Sequence, residues 1–308
     1  MRNAFVDALI GLAGRDERVF LLTADLGWSV VERFAERFPR RFLNVGVAEQ
    51  NMIGIATGLA QVGFVPFAYS IATFASMRAY EQVRNGPLLH GLPVRIVGIG
   101  GGYAYGHAGP THHALEDLCI FRSQPGMTVI APADPAQATA AVAATAEIAG
   151  PVYLRIGKGG NPEVSGLDGR FALGRPELVA SGSDVLLIAT GGIVHNALAA
   201  ARLLGERGTS AAVAVLAHLG FAPSAVLREL LAGYRAVVTV EEGYAAGGLG
   251  SLVSECVAGE GLGCRVAVRG VSAPCSGVSG STAYMARAAG LDPESLAGAA
   301  QALLGLSL

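Results

Sequence analysis

Short β-prone runs alternate with helix-prone runs along almost all of this 308-residue chain, and that alternation restricts it to a small set of architectures. Val19–Thr23 (VFLLT), Arg41–Val45, Phe64–Tyr69, Val94–Ile99 (VRIVGI), Met127–Ala131 and Val152–Ile156 read as strands. Ser29–Phe38, Glu49–Val62, Thr73–Leu89 and Asp134–Ile148 read as helices between them. Strands joined by helical crossovers pair in parallel, with helices on both faces of the sheet. The pattern breaks once, at Gly157–Arg170 (GKGGNPEVSGLDGR), which is rich in Gly and has no apolar period. It resumes with Val185–Ala189, Ala212–Leu216, Ala236–Val240 and Arg265–Val268 and ends in a helix near Ser295–Leu304. The expectation is an α/β protein of two mostly parallel-sheet domains, residues 1–160 and 176–308, with a linker at 161–175.

Composition narrows the function. Hydrophobic residues make up 52% and charged residues 15%, enough to fill sizeable cores and to exclude a disordered chain. A formal charge of −2 without a basic stripe argues against nucleic acid as a partner. So few charges fit either a surface partly covered by other chains or a plain Ala/Gly-rich composition. No uncharged apolar run is long enough to cross a membrane, and Asp7 inside the first apolar stretch does not fit a signal peptide. Cys119, Cys256, Cys264 and Cys275 form no CxxC pair and have no His at zinc-ligand spacing. They read as reduced structural cysteines of a cytoplasmic protein, with no metal site of their own.

The familiar glycine motifs do not apply. Gly98–Gly102 (GIGGG) follows a strand, but Tyr105 stands where a dinucleotide fingerprint needs glycine. Gly243–Gly250 (GYAAGGLG) lacks the Lys-Ser/Thr of a phosphate loop, and no GxSxG occurs.

Several stretches carry chemistry instead. In Asn44–Met52 (NVGVAEQNM) a strand ends and Glu49 opens a helix, at the carboxyl edge where open α/β sheets place ligands. A first-turn Glu favoured by the helix dipole is the plainer alternative. In Thr73–Gln82 (TFASMRAYEQ), Phe74, Met77 and Tyr80 recur every third residue on one helical face, which suits either a flat heterocycle or an ordinary core. Gly106–Arg122 (GHAGPTHHALEDLCIFR) is a Gly-rich loop with three histidines leading into a helix, and histidine suits proton transfer. Gly150–Asn161 (GPVYLRIGKGGN) leaves Arg155 and Lys158 at a strand end.

Together, in order and over almost the whole chain, these stretches resemble the transketolase and deoxyxylulose-phosphate synthase family. NVGVAEQNM matches its GxxEQN-like turn, GPTH with Glu116, Leu118 and Arg122 matches its GPTHQ loop and helix, TADLGWS (23–29) its xADLxxS, and VEE…GGLG (240–250) its C-terminal strand–turn–helix, assigned to packing and dimerisation. The resemblance implies a thiamine-diphosphate pyrimidine-binding domain followed by a transketolase C-terminal domain. It implies that Glu49 is the catalytic carboxyl that hydrogen-bonds the aminopyrimidine of thiamine diphosphate, and burial in an apolar cleft would help such a group hold a proton. It assigns Asp25, Phe74, Met77 and Tyr80 to the cofactor, His112 to catalysis, and Ser29, His107, His112 and Lys158 to the substrate, with Arg155 a second basic candidate. The chain departs from the family pattern at Ala108 (an acid there), His107 (a Glu), Gly100 (a His) and His113 (a Gln). The lost acid points to an unusual ketose or acceptor.

The family holds the cofactor diphosphate and a divalent metal through a GDG…N motif, and no GDG occurs in this sequence. The expectation is therefore a subunit active only with a separate N-terminal transketolase subunit that holds Mg2+, in an α2β2 heterotetramer. It would transfer a two-carbon ketol unit from a ketose or ketose phosphate to an aldehyde. The β subunit of a 2-oxoacid dehydrogenase E1 component, acting on a 2-oxo acid, is the alternative.

Overall fold

The computed structural model describes residues 1–273 and 277–305, so Cys275 lies outside the described residues. The strands are β1 (Val19–Thr23), β2 (Phe42–Asn44), β3 (Val65–Ile71), β4 (Arg95–Ile99), β5 (Thr128–Ile130), β6 (Val152–Ile156), β7 (Glu177–Ala180), β8 (Val185–Ala189), β9 (Ala211–Val215), β10 (His218–Leu219), β11 (Ala236–Tyr244) and β12 (Arg265–Val271). Every residue of β3, β4, β6, β8 and β9 is buried, as continuous apolar strands are when helices cover both faces of a parallel sheet. One sheet runs β10-β5-β6-β4-β3-β1-β2 and the other β12-β11-β8-β9-β7. Among the described strands, only the pairs β10–β5 and β7–β9 are antiparallel. The two mostly parallel sheets of an α/β protein are thus present.

Sequence pattern and structure differ in places. Thr73–Leu89 is no regular α-helix: one α-turn, Tyr80–Val83, lies between π-helical segments Phe74–Arg78 and Arg84–Leu88. The Ser76 hydroxyl donates to the Ala72 carbonyl at 2.7 Å and competes with the helix ladder, and Pro87 has no N–H to offer the second segment. The helix expected over 134–148 is shorter, Pro135–Thr145; Asp134 Oδ1 sets its start by capping Gln137 N at 2.7 Å, with proline at the first helical position. The N-terminal helix Arg2–Ala13 and strands β7 and β10 had no distinct sequence signal.

The stretch 157–170 has neither helix nor strand, yet it is pinned. Asp134 Oδ2 accepts from Val164 N at 2.9 Å, Gln137 Nε2 donates to Arg170 O at 2.9 Å, and Val164 and Leu167 are buried. The halves of the chain also share a core, in which Leu118 and Phe121 belong to the same apolar cluster as Leu186, Leu249 and Leu252. Arg122 crosses between them to the Gly247 carbonyl, at 3.2 Å, and to the Glu255 carboxylate. Glu241, wholly buried, caps the helix Leu249–Gly259 by accepting from Leu249 N and Gly250 N at 2.9 and 2.8 Å. Its carboxylate touches Gly248 so closely that a Cβ there would lie 1.9 Å from Oε2, which accounts for glycine in VEE…GGLG as a packing device. Among the described residues, no helix is long and apolar enough to cross a membrane.

Candidate active site

The residues singled out from sequence collect beyond the carboxyl ends of the first sheet. Asp25 and Ser29 follow β1, Glu49 follows β2, Phe74 follows β3, His107 and His112 follow β4, and Lys158 follows β6. A parallel sheet delivers side chains from distant sequence positions to that one edge.

Asn44, the last residue of β2, sets the turn that leads to Glu49. Its Oδ1 accepts from Asp25 N and Gly46 N, both at 3.0 Å, and its Nδ2 donates to Asp25 Oδ1 at 3.1 Å. Gly46 takes φ 76, a left-handed conformation that glycine adopts without cost. The helix Glu49–Gln61 then begins with its carboxylate turned inward, 2% exposed. The surroundings of that carboxylate are not simply apolar, as the sequence had led us to expect. Ser70 Oγ donates to Oε1 at 3.1 Å, and Arg78 Nη1 lies 3.1 Å from Oε2 and 3.3 Å from Oε1. An open cleft of about 550 Å³ adjoins it, lined by Val47, Ala48, Gln50 and Asn51.

A row of rings and cations extends from this carboxylate. The Arg78 guanidinium stacks 3.9 Å over the Phe74 ring. Phe74 meets the His112 imidazole edge to face at 5.2 Å, and His112 lies 6.2 Å from the Tyr105 ring. The Lys158 ammonium sits 4.3 Å from the centre of Tyr105. Thr111 Oγ1 is 3.0 Å from His112 Nδ1, which fixes the imidazole from one side. Gly100 has φ 74, and a Cβ on it would come within 2.2 Å of the Tyr105 ring. The space above Gly100, where the family pattern has a histidine, is therefore filled by Tyr105. Burial pushes the Tyr105 phenol above its ordinary value.

Other expectations fare differently. Phe74, Met77 and Tyr80 do not share one face, because the wide π-turn breaks the 3.6-residue period. Met77 is exposed, and Tyr80 turns inward, donating to the Ile120 carbonyl at 3.0 Å and packing on Phe121. His107 is exposed on a short turn, Gly106–Ala108, while His113 is buried edge-on against Tyr103. Asp25 and Ser29 are exposed, with left-handed φ values of 55 and 63, and between them Trp28 stands 73% exposed. Arg155 is no free cation for an anionic substrate. It is buried, paired with Asp117 Oδ1 at 2.9 Å and bonded to the Ala114 and Glu242 carbonyls. Sequence reading missed Ser70, Arg78 and Tyr105. Arg78 lay inside a stretch read for its aromatic residues, and only its spacing of four from Phe74 could have flagged it.

Residues 1–162 match the family described as "Transketolase, pyrimidine binding domain", and residues 174–296 match "Transketolase, C-terminal domain". The chain is 40% identical over 303 residues to the 6-deoxy-6-sulfo-D-fructose transketolase subunit SqwH of Clostridium sp. (strain MSTE9), which covers 97% of this chain and 93% of that protein. It is 35% identical over 256 residues, 82% of each chain, to an apulose-4-phosphate transketolase subunit of Phocaeicola vulgatus. A solved structure described as "Split gene transketolase, inactive beta4 tetramer" superimposes with a TM-score of 0.87 at 38% identity, over 100% of this chain and 99% of that one.

Proposed function

This chain belongs to the transketolase family, and on that premise we propose that it is the pyrimidine-holding subunit of a two-chain, thiamine-diphosphate-dependent transketolase. The observation that carries the reading is the placement of Glu49. A carboxylate almost out of water opens a helix at the sheet's carboxyl edge, next to an open cleft and joined through Arg78 to the Phe74 ring. Those residues fit the aminopyrimidine of thiamine diphosphate, which offers a flat face to stack and ring nitrogens to hydrogen-bond.

When bound, that cofactor supplies the nucleophilic carbon that carries a two-carbon ketol unit between sugars. The chain's own residues do the rest. Glu49 holds a proton against the pyrimidine ring, and Ser70 Oγ fixes the orientation of its carboxylate. Phe74 supports the ring from one face. His112, held at Nδ1 by Thr111, offers Nε2 to the sugar oxygen that gains or loses a proton. Lys158 supplies the positive charge for a substrate with an anionic terminus, and Asp25, Ser29 and His107 lie on the loops at the same edge.

A separate subunit supplies the diphosphate and Mg2+ site, in an α2β2 assembly. Two things support this: the sequence has no GDG, and two of the relatives are named as transketolase subunits. Those relatives are named for a sulfo-sugar and a sugar phosphate, so a ketose ending in an anion is the substrate class we propose. The E1 β-chain alternative is not favoured by these relatives.

The test is to titrate thiamine diphosphate with Mg2+ into this chain, its co-purified partner and the mixture. Only the mixture is expected to bind. Glu49→Gln should assemble normally and lose turnover by at least ~100-fold. Binding and ketol transfer by the chain alone, or full turnover in Glu49→Gln, would refute the assignment. Lipoyl-dependent decarboxylation would turn it into the E1 alternative.

A further inference from the structure

Arg78 makes two contacts at once. Its guanidinium lies 3.9 Å over the Phe74 ring and donates through Nη1 to both oxygens of the buried Glu49 carboxylate. Guanidinium is flat and delocalised, and it both stacks on aromatic faces and donates to carboxylates in its own plane. A pyrimidine ring held by Glu49 and stacked on Phe74 needs the same two contacts. Stacked groups stand about 3.5–4.0 Å apart, so this face of Phe74 takes only one of them at a time.

We infer that Arg78 is a stand-in for the pyrimidine ring: it fills the ring's position while the cofactor is away and must swing out before the cofactor enters. The inference rests on the reading of Glu49 as the cofactor's carboxyl.

Two further observations explain why such a residue is there and how it leaves. A carboxylate 2% exposed with Ser70 as its one other donor among the described residues would be costly to keep in an empty site. Arg78 supplies the compensating charge before cofactor and partner arrive. Its side chain is 47% exposed, and among the described residues its guanidinium hydrogen-bonds only Glu49. It also lines the open cleft beside that carboxylate, so the way out needs no backbone movement. The π-helical segment Phe74–Arg78 carries both partners of the stack, so ring and placeholder are set by one element.

The test uses the assembled two-chain complex carrying wild-type chain, Arg78→Ala or Arg78→Lys. Thiamine diphosphate with Mg2+ is titrated by calorimetry, and loading is followed by intrinsic fluorescence. Unloaded and loaded complexes are also melted. A placeholder lowers apparent affinity in proportion to the fraction of time it occupies the site. Arg78→Ala should therefore bind about 3–10-fold tighter and load faster. Unloaded, it should melt below wild type, and loaded, it should melt with it. Lysine pairs with Glu49 but covers Phe74 poorly, so Arg78→Lys should bind with intermediate affinity. If Arg78→Ala does not assemble, Arg78→Lys must still bind tighter than wild type. Equal or weaker cofactor binding by these variants, in complexes that wild type loads normally, overturns the placeholder and leaves the Glu49 assignment standing. No binding by wild type or variant overturns both.

Discussion

Phe74 and His112 stand edge to face with ring centres 5.2 Å apart, one just beyond β3 and the other on the loop after β4. The contact ties the wall proposed for the cofactor ring to the group proposed to move a proton on the sugar, so the two roles are separable by mutation only in one direction.

His112→Asn is expected to lower kcat/KM about 10²–10⁴-fold with cofactor affinity within about twofold of wild type. Phe74→Ala is expected to weaken cofactor binding and turnover together, because it removes the ring's support and His112's neighbour. Steady-state kinetics beside a cofactor titration checks both, and wild-type turnover by His112→Asn would remove it from the mechanism.

Arg155 and Lys158, three residues apart at the end of the same strand, should fail in opposite ways. Lys158 is exposed and rests on Tyr105, so Lys158→Met should raise KM for a phosphate- or sulfonate-ended ketose about 10- to 100-fold without lowering the melting temperature. Arg155→Met strands Asp117, whose Oδ1 it holds at 2.9 Å, and should cost about 3–5 kcal/mol of stability. An Arg155→Met protein as stable as wild type would contradict the buried-pair account.

Burial pushes the Glu242 carboxyl up to about 7 from an ordinary 4.5, and among the described residues its buried Oε1 has no hydrogen-bond partner. A raised carboxyl favours folding while protonated. Its contribution is complete below about 4.5 and is lost as the pH rises through about 7. Thermal melts between those values should therefore show stability falling with pH in wild type and falling less in Glu242→Gln. Identical slopes would place the pH dependence elsewhere.

Trp28 is 73% exposed on a loop held between two left-handed residues, Asp25 and Ser29, and Val47 is 72% exposed on the loop after the neighbouring strand. Backbone strain of that kind costs about 1–3 kcal/mol per residue and persists where it serves a function. Trp28→Ala should cost about 2 kcal/mol or more of the association energy with the partner chain, as loss of an interface anchor does, and leave the melting temperature of the isolated chain unchanged. Association measured by analytical ultracentrifugation decides it.

Much of the fold was legible because its strands are short, apolar and separated by helical periods, so β6 and β8 begin and end where the residues indicate. The gathering of Glu49, Phe74 and His112 followed from the rule that parallel sheets bring their carboxyl ends together. Geometry set by hydrogen bonds was not legible. The Ser76 hydroxyl and Pro87 turn a regular helix into π-turns, which separates Tyr80 from Phe74 and brings Arg78 over the ring instead. Arg155 looked like a free cation because its partner, Asp117, comes from a different part of the chain. Two-residue β10 carries no period at all.

That small strand has a consequence for how the chain is made. His218 and Leu219 pair with Ile130 and Val129 at the edge of the first sheet, although they come from beyond the irregular stretch 157–170. On the ribosome the first sheet is therefore finished only after roughly 90 further residues have emerged, about 5–20 s at typical synthesis rates. Until then β5 offers an open edge to any other strand. The first sheet's last stitch thus arrives late in synthesis, and a chain truncated within residues 157–170 would carry that unfinished edge permanently.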